Sequence, residues 1–174
     1  MNVMLNKKRE RGINMNFKGK NALITGASVG IGRSTSLILA ENGANLILID
    51  IDIKKLEKIK AEAEQYGAEV LIFKCDVSDE QSVNSVVKEA AEHFGKIDIL
   101  VNNAALWRCW CKFTDIATDE WRRYFDVNVM GTVYFSRAVL PYMLNNRYGR
   151  IINVSSVAGV YGNANMVHYS ATKG

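Results

Sequence analysis

The sequence predicts a three-layer α/β fold, a doubly wound parallel sheet between two layers of helices. Three observations carry that prediction. Short apolar runs alternate with helix-period segments along the chain, the pattern that sets parallel strands between crossover helices. The first run passes through a glycine-rich turn directly into a helix start. The later runs give way to polar residues at Asp50, Asp76, Asn102 and Ser155, and open α/β sheets keep their ligand sites at such strand ends.

Asn21 to Thr25 is the first strand, running into Gly26-Ala-Ser-Val-Gly-Ile-Gly32. The next helix has Ile31, Thr35, Ile38 and Leu39 on one face and stops at Gly43. A strand, a glycine turn and a helix N-terminus together suit an anion. Glycines admit a pyrophosphate close to the backbone, and the free N–H groups and helix dipole favour its charge. The spacing is Gly-x-x-x-Gly-x-Gly rather than Gly-x-Gly-x-x-Gly, so a tight turn that binds nothing stands as the alternative. Asn45 to Asp50 is the second strand. Asp50 lies 24 positions after Gly26, close to the ~20 expected for a residue bonding an adenosine ribose. A carboxylate there accepts from a 2′-hydroxyl and repels a 2′-phosphate, so NAD is expected over NADP. Val29 agrees, because it offers no cation to an extra phosphate. Capping the next helix is the other role open to Asp50, although Asp52 could serve there instead.

Ile53, Leu56, Ile59, Ala63 and Tyr66 form the stripe of the second helix, closed by Gly67. Glu69 to Cys75 is the third strand, with Asp76-Val77 at its end. Ser78 to Gln81 reads as a capping box for a helix whose inner face is Val83, Val86, Val87, Ala90 and Phe94. After Gly95, Ile97 to Val101 is strand four, leading into Asn102-Asn103-Ala104-Ala105. Leu106 to Phe113 is irregular and holds Trp107, Cys109, Trp110 and Cys111. Its aromatics either wall an apolar substrate pocket or pack beneath the loop or against a partner subunit. Thr118, with Asp119 and Glu120, starts a long helix. Phe125, Val129, Val133, Leu140 and Met143 line its apolar face, with Pro141 late in it. Asn128 and Ser136 interrupt that face, and an Asn on a buried stripe needs a partner or a task. Arg150 to Ser155 is strand five, with Ser156 next. Tyr169 and Lys173 stand four apart, on one face of a helix. A fixed ammonium beside a phenol favours phenolate and suits it to general acid–base work.

With 174 residues, 48% hydrophobic and 23% charged, the chain has the length and composition of one soluble domain. The net charge of +4 is concentrated near the start: residues 1–20 sum to +5, leaving −1 for the remainder. Residues 1–14 are therefore expected to be a disordered, solvated basic leader before a domain over 15–174, rather than an arm for nucleic acid or membrane. The leader lacks the apolar stretch of a secretory signal, and no run reaches membrane-span length. Three cysteines without Cys-x-x-Cys spacing argue against a disulfide framework and a zinc site. No metal is expected, and the expected location is cytoplasmic.

These motifs together resemble the short-chain dehydrogenase/reductase family, in the style of 3-oxoacyl-carrier-protein reductases and related hydroxysteroid, sugar and alcohol dehydrogenases. Thr25 to Gly32 is similar to the family's cofactor turn, Asp76-Val77 to its adenine contact, and Asn102 to Ala105 to its Asn-Asn-Ala-Gly motif, with Ala105 for glycine. Asn128, Ser156, Tyr169 and Lys173 match its catalytic tetrad, with 13 positions between the Ser and the Tyr. The resemblance implies a Rossmann-type NAD(P)-binding domain that interconverts secondary alcohols and ketones. It assigns Gly26, Ser28, Val29, Gly30, Ile31, Gly32, Asp50, Asp76, Val77, Asn103, Ala104, Tyr169 and Lys173 to the cofactor. Tyr169 would be the proton donor and acceptor, and Lys173 would sustain its phenolate and hold the nicotinamide ribose. Ser156 would bond the carbonyl oxygen, and Asn128 would order a water beside Lys173.

The resemblance further implies a continuation beyond Tyr169 and Lys173: a long helix, further strands, a substrate loop and a dimer or tetramer. Five strands stand here where such folds usually have six, and strand five would be an apolar edge. The expectation is thus a C-terminally truncated domain. A catalytically silent nucleotide-binding fragment is the alternative function.

Overall fold

The structure, a computed structural model, describes residues 15–108 and 110–174. The expected leader and Cys109 lie outside these residues. Five strands form one parallel sheet: β1 (Asn21–Thr25), β2 (Asn45–Asp50), β3 (Val70–Lys74), β4 (Ile99–Asn102) and β5 (Arg150–Asn153). Their order is β3-β2-β1-β4-β5. Chain direction across the sheet therefore reverses between β1 and β4, the switch point at which doubly wound sheets bind ligands.

The helices are α1 (Gly30–Glu41), α2 (Ile53–Glu64), α3 (Glu80–Phe94), α4 (Thr118–Phe125), α5 (Gly131–Asn145), α6 (Val157–Tyr161) and α7 (Val167–Lys173). Because strand side chains alternate between faces, the core divides in two. Ala22, Ile24, Leu46 and Leu48 pack with Leu39, Leu56 and Ile59 of α1 and α2. Leu23, Ile47, Ile49 and Leu100 pack on the other face with Val83 and Val87 of α3 and Phe135 and Val139 of α5. Fully burying each such side chain contributes about 1.5–3 kcal/mol. The predicted three-layer fold is the observed one.

Some local expectations are corrected. Ile31 and Ile38 are exposed, and the inward face of α1 is Gly32, Ser36, Leu39 and Ala40. Ser78 does not cap α3: the Asp79 carboxylate accepts from the N–H groups of Gln81 and Ser82 at 3.1 and 3.3 Å. The Ser78 hydroxyl instead donates to Asp76 at 2.7 Å. A charged acceptor is the better match for the helix dipole. The long helix expected from Thr118 is broken by a π-helical turn over Asp126–Met130. That wider turn rotates the register, so Tyr124, Asn128, Phe135, Val139 and Met143 are buried while Phe125 and Leu140 are exposed. Cys75 is free and buried, whereas Cys111 is disulfide-bonded, a pairing that the expectation against a disulfide framework did not include. β5 is the outermost strand, with Ile151 and Ile152 exposed.

Candidate active site

The carboxyl ends of β1 and β4 are laced together before any ligand is considered. The Asn103 side-chain amide donates to the carbonyls of Thr25 and Gly26, each at 3.0 Å. The Thr25 hydroxyl oxygen accepts from the backbone N–H groups of Asn103 and Ala104, also at 3.0 Å. Gly26 (φ +62°) and Gly30 (φ +54°) take left-handed conformations that side chains disfavour. A Cβ on Gly32 would run into the Gly26 carbonyl and come 2.6 Å from the Asn103 amide nitrogen. A Cβ on Gly30 would meet nothing within 4 Å. Gly32 thus packs the turn and Gly30 opens it. No side chain caps the N-terminus of α1, so its first amides remain available to an anion.

Asp50 closes the floor of this turn. One of its oxygens accepts from Ser28 N–H and the other from Asp52 N–H, each at 3.1 Å, and each oxygen keeps a second acceptor direction. Asp52, not Asp50, caps α2 by accepting from Lys55 N–H at 3.2 Å. Asp76, at the end of β3, accepts from the Ser78 hydroxyl and N–H. The Ser78 hydroxyl, that N–H and the Arg123 guanidinium hold its carboxyl below the usual range.

At the other side stand the serine, tyrosine and lysine. Ser156 Oγ accepts from Ala158 N–H at 3.2 Å, capping the short α6. α6 and α7 are in close contact: a Cβ on Gly159 would strike the Lys173 carbonyl, and that carbonyl accepts from the Ser155 hydroxyl at 2.6 Å. Lys173 is buried and its Nζ donates to the Val154 carbonyl at 2.7 Å; burial pulls its pKa down. Asn128, brought inward by the π turn, is 5% exposed. Its Oδ1 accepts from Leu106 N–H at 2.6 Å, while Nδ2 donates to Leu106 O at 3.2 Å and to Thr172 Oγ1 at 2.9 Å. Thr172 passes the bond on to the Tyr169 carbonyl at 2.8 Å.

One cleft of about 870 Å³ collects most of the sequence-predicted residues: Gly26, Ser28, Val29, Gly30, Ile31, Asp50, Asp76, Val77, Asn103, Ala104, Ser156, Tyr169 and Lys173. Gly32 and Asn128 are buried and do not line it. A smaller cavity of about 360 Å³ adjoins it, and Trp107, Ser156 and Tyr169 line both. Sequence reasoning missed Lys55, Arg108 and Arg123, which add positive charge to the cleft. Arg108 follows strand four closely enough to have been a candidate; nothing local marks Arg123. Among the described residues no group of His, Cys, Asp and Glu is suited to a metal, and no helix is long and apolar enough to cross a membrane.

A parallel sheet with a glycine cradle at its switch point defines a dinucleotide-binding α/β domain of the Rossmann type. The chain belongs to the short-chain dehydrogenase family, an oxidoreductase family whose model matches residues 20–174. It is 38% identical over 159 residues to a 3-oxoacyl-[acyl-carrier-protein] reductase of Thermotoga maritima, covering 91% of this chain and 64% of that protein. An NAD+-bound xylitol dehydrogenase superposes with a TM-score of 0.88 at 38% identity, covering 91% of this chain and 61% of the other. A 7α-hydroxysteroid dehydrogenase complexed with NADH and 7-oxo glycochenodeoxycholic acid gives 0.87 at 33%, covering 92% and 62%. The chain thus spans less than two thirds of the length of these relatives.

Proposed function

We propose that this chain binds NAD(H) and carries the proton-transfer site of an oxidoreductase that interconverts a secondary alcohol and a ketone. The observation that supports this best is the position of Ser156 and Tyr169 at the junction of the long cleft and the adjoining cavity. A dinucleotide fits the long cleft: the uncapped α1 amides suit its pyrophosphate, and Asp50 suits an adenosine ribose with a free 2′-hydroxyl. When bound, the nicotinamide supplies or accepts the hydride.

The residues of the chain do the rest. Tyr169 donates a proton to the substrate oxygen during reduction and removes one from the hydroxyl during oxidation. Ser156 already accepts from Ala158 N–H, which leaves its own hydroxyl proton for the same oxygen as charge develops there. Lys173 spends one of its three donors on Val154 O and keeps the others for ribose hydroxyls. The amide hydrogens of Asn128 are both engaged, so we assign Asn128 to positioning α7, in place of the water-ordering role expected from sequence. Asp50 and Val29 favour NAD over NADP by repelling, and failing to pair, a 2′-phosphate.

The test is direct. NADH and NADPH are titrated by fluorescence, and NADH oxidation is followed with a panel of ketones. Tyr169→Phe is expected to abolish turnover while leaving NADH affinity within about twofold. Wild-type binding without turnover would support the silent nucleotide-binding alternative instead.

A further inference from the structure

The small cavity beside Tyr169 is walled by two chain segments. The run after β4 supplies Trp107 and Trp110; the run through α6 to the start of α7 supplies Val157, Ala158 and Met166 among others. A hydrogen bond from Cys111 N–H to the Asn165 carbonyl at 2.9 Å ties the two segments together. The indoles are not core residues: Trp107 and Trp110 are 65% and 63% exposed. Trp121, by contrast, packs edge-on against Phe113 and His168. Of the roles open to these aromatics, their exposure disfavours packing beneath the loop, and the cavity favours the pocket wall over a partner contact.

The charge pattern is equally specific. Among the described lining residues none is Asp, Glu, Lys, Arg or His, and the polar ones include Ser156, Tyr169 and Asn163. Arg108, Arg123 and Lys55 belong to the long cleft and not to this cavity. A carboxylate or phosphate placed here would lose its water without gaining a cation. Indole faces offer large flat apolar areas that suit rings. A rigid ring also loses less rotational freedom on binding than an open chain of the same size.

We infer that the substrate is an uncharged, apolar secondary alcohol or ketone built on one or two rings, seated against Trp107 and Trp110. The inference rests on the reading of Ser156 and Tyr169 as the pair that receives the substrate oxygen. Binding and turnover test the two readings separately. With NAD+ present, so that a ketone cannot be reduced, calorimetry compares 2-decalone with open-chain 2-decanone, and 4-methylcyclohexanone with 4-oxocyclohexanecarboxylate. The neutral ring ketone of each pair is expected to bind at least about tenfold tighter. Trp110→Ala, at an exposed position that lines the cavity alone, is expected to weaken 2-decalone by about fivefold or more without changing NADH affinity. Equal or tighter binding of either comparator, no binding of 2-decalone, or an unaffected Trp110→Ala overturns the inference. Selective binding of 2-decalone without its reduction by NADH upholds the ligand class and sinks the proposed reaction.

Discussion

Replacing Asn128 tests whether a buried amide holds α7 in place. Asn128→Ala strips Leu106 of the acceptor for its N–H and of a donor to its carbonyl, at a residue that is 7% exposed. An unsatisfied buried backbone group costs about 1–3 kcal/mol, so the loss of both partners is expected to cost roughly 3 kcal/mol. For a chain of this size each kcal/mol lowers the melting temperature by about 2–4 °C, giving a fall of about 6–12 °C. Asn128→Asp is the sharper probe. Its carboxylate can still accept from Leu106 N–H, but it faces the Leu106 carbonyl with no proton to offer. Thr172 cannot compensate, because its hydroxyl proton already goes to Tyr169 O. At pH 7 this variant is expected to be less stable than Asn128→Ala, since it adds a buried, poorly paired charge. The sign of its pH dependence follows. Burial raises the introduced carboxyl's pKa in the folded state, so the charge penalty is relieved as pH falls through that raised value. Urea titrations at pH 7 and pH 5 measure this as a gap between Asn128→Asp and Asn128→Ala that narrows at the lower pH. A loss below about 1 kcal/mol for Asn128→Ala, or a gap that widens on acidification, refutes the scaffold assigned to this amide.

The other predictions concern the cradle, the cofactor choice and a buried histidine. Gly32→Ala drives a methyl into the Gly26 carbonyl and the Asn103 amide; overpacking of this kind costs about 1–3 kcal/mol, and NADH affinity measured by fluorescence is expected to drop with it. Asp50→Ala removes the repulsion of a 2′-phosphate and two backbone hydrogen bonds, so the NADPH-to-NADH ratio of dissociation constants should fall by about tenfold while the melting temperature also declines. His168 is fully buried, stands edge-on to Tyr124 at 4.0 Å, and has no hydrogen-bond partner at either ring nitrogen among the described residues. Burial depresses its pKa below the ordinary 6.5, against a smaller opposing pull from Glu120. The unfolded chain therefore binds the extra proton first, and stability is lost as pH falls below 6.5, at up to about 1.4 kcal/mol per pH unit. His168→Phe should flatten that part of a melting-temperature profile, and an unchanged profile would refute the assignment.

The parts legible in the sequence were those governed by local rules. The glycine turn, strand β2 ending at Asp50, and the inner face of α3 follow from neighbouring residues, and the structure places them as expected. The helix period puts Ile31 on the core face, whereas it lines the long cleft, in keeping with the cofactor turn that the resemblance implies. The α3 cap went to Asp79 because Asp76 draws the Ser78 hydroxyl away, a competition that helix signatures do not describe. Phe125 and Leu140 were assigned inward on an unbroken 3.6-residue period, which the π turn interrupts. Asn128 could be flagged as a polar residue in need of a partner, but Leu106 and Thr172 are 22 and 44 positions away. Only the fold could name them. Arg123 reaches the cleft through the same non-local geometry.

The π turn over Asp126–Met130 makes the stretch from Thr118 to Asn145 a compromise between two designs. A five-residue hydrogen-bonded step accommodates one residue more than an α-helical step would. Deleting a single residue there, Val127 for instance, would let the ordinary ladder run unbroken through both helices. The helix would be more regular, and side chains beyond the turn would keep their faces, because the π step only absorbs the extra residue. Asn128, inside the turn, would shift toward the place of the deleted residue and lose its alignment with Leu106 and Thr172, while Phe135 and Val139 would stay in the core. A selection for helix regularity alone would therefore drift toward a sturdier rod in which Tyr169 and Lys173 have lost their footing.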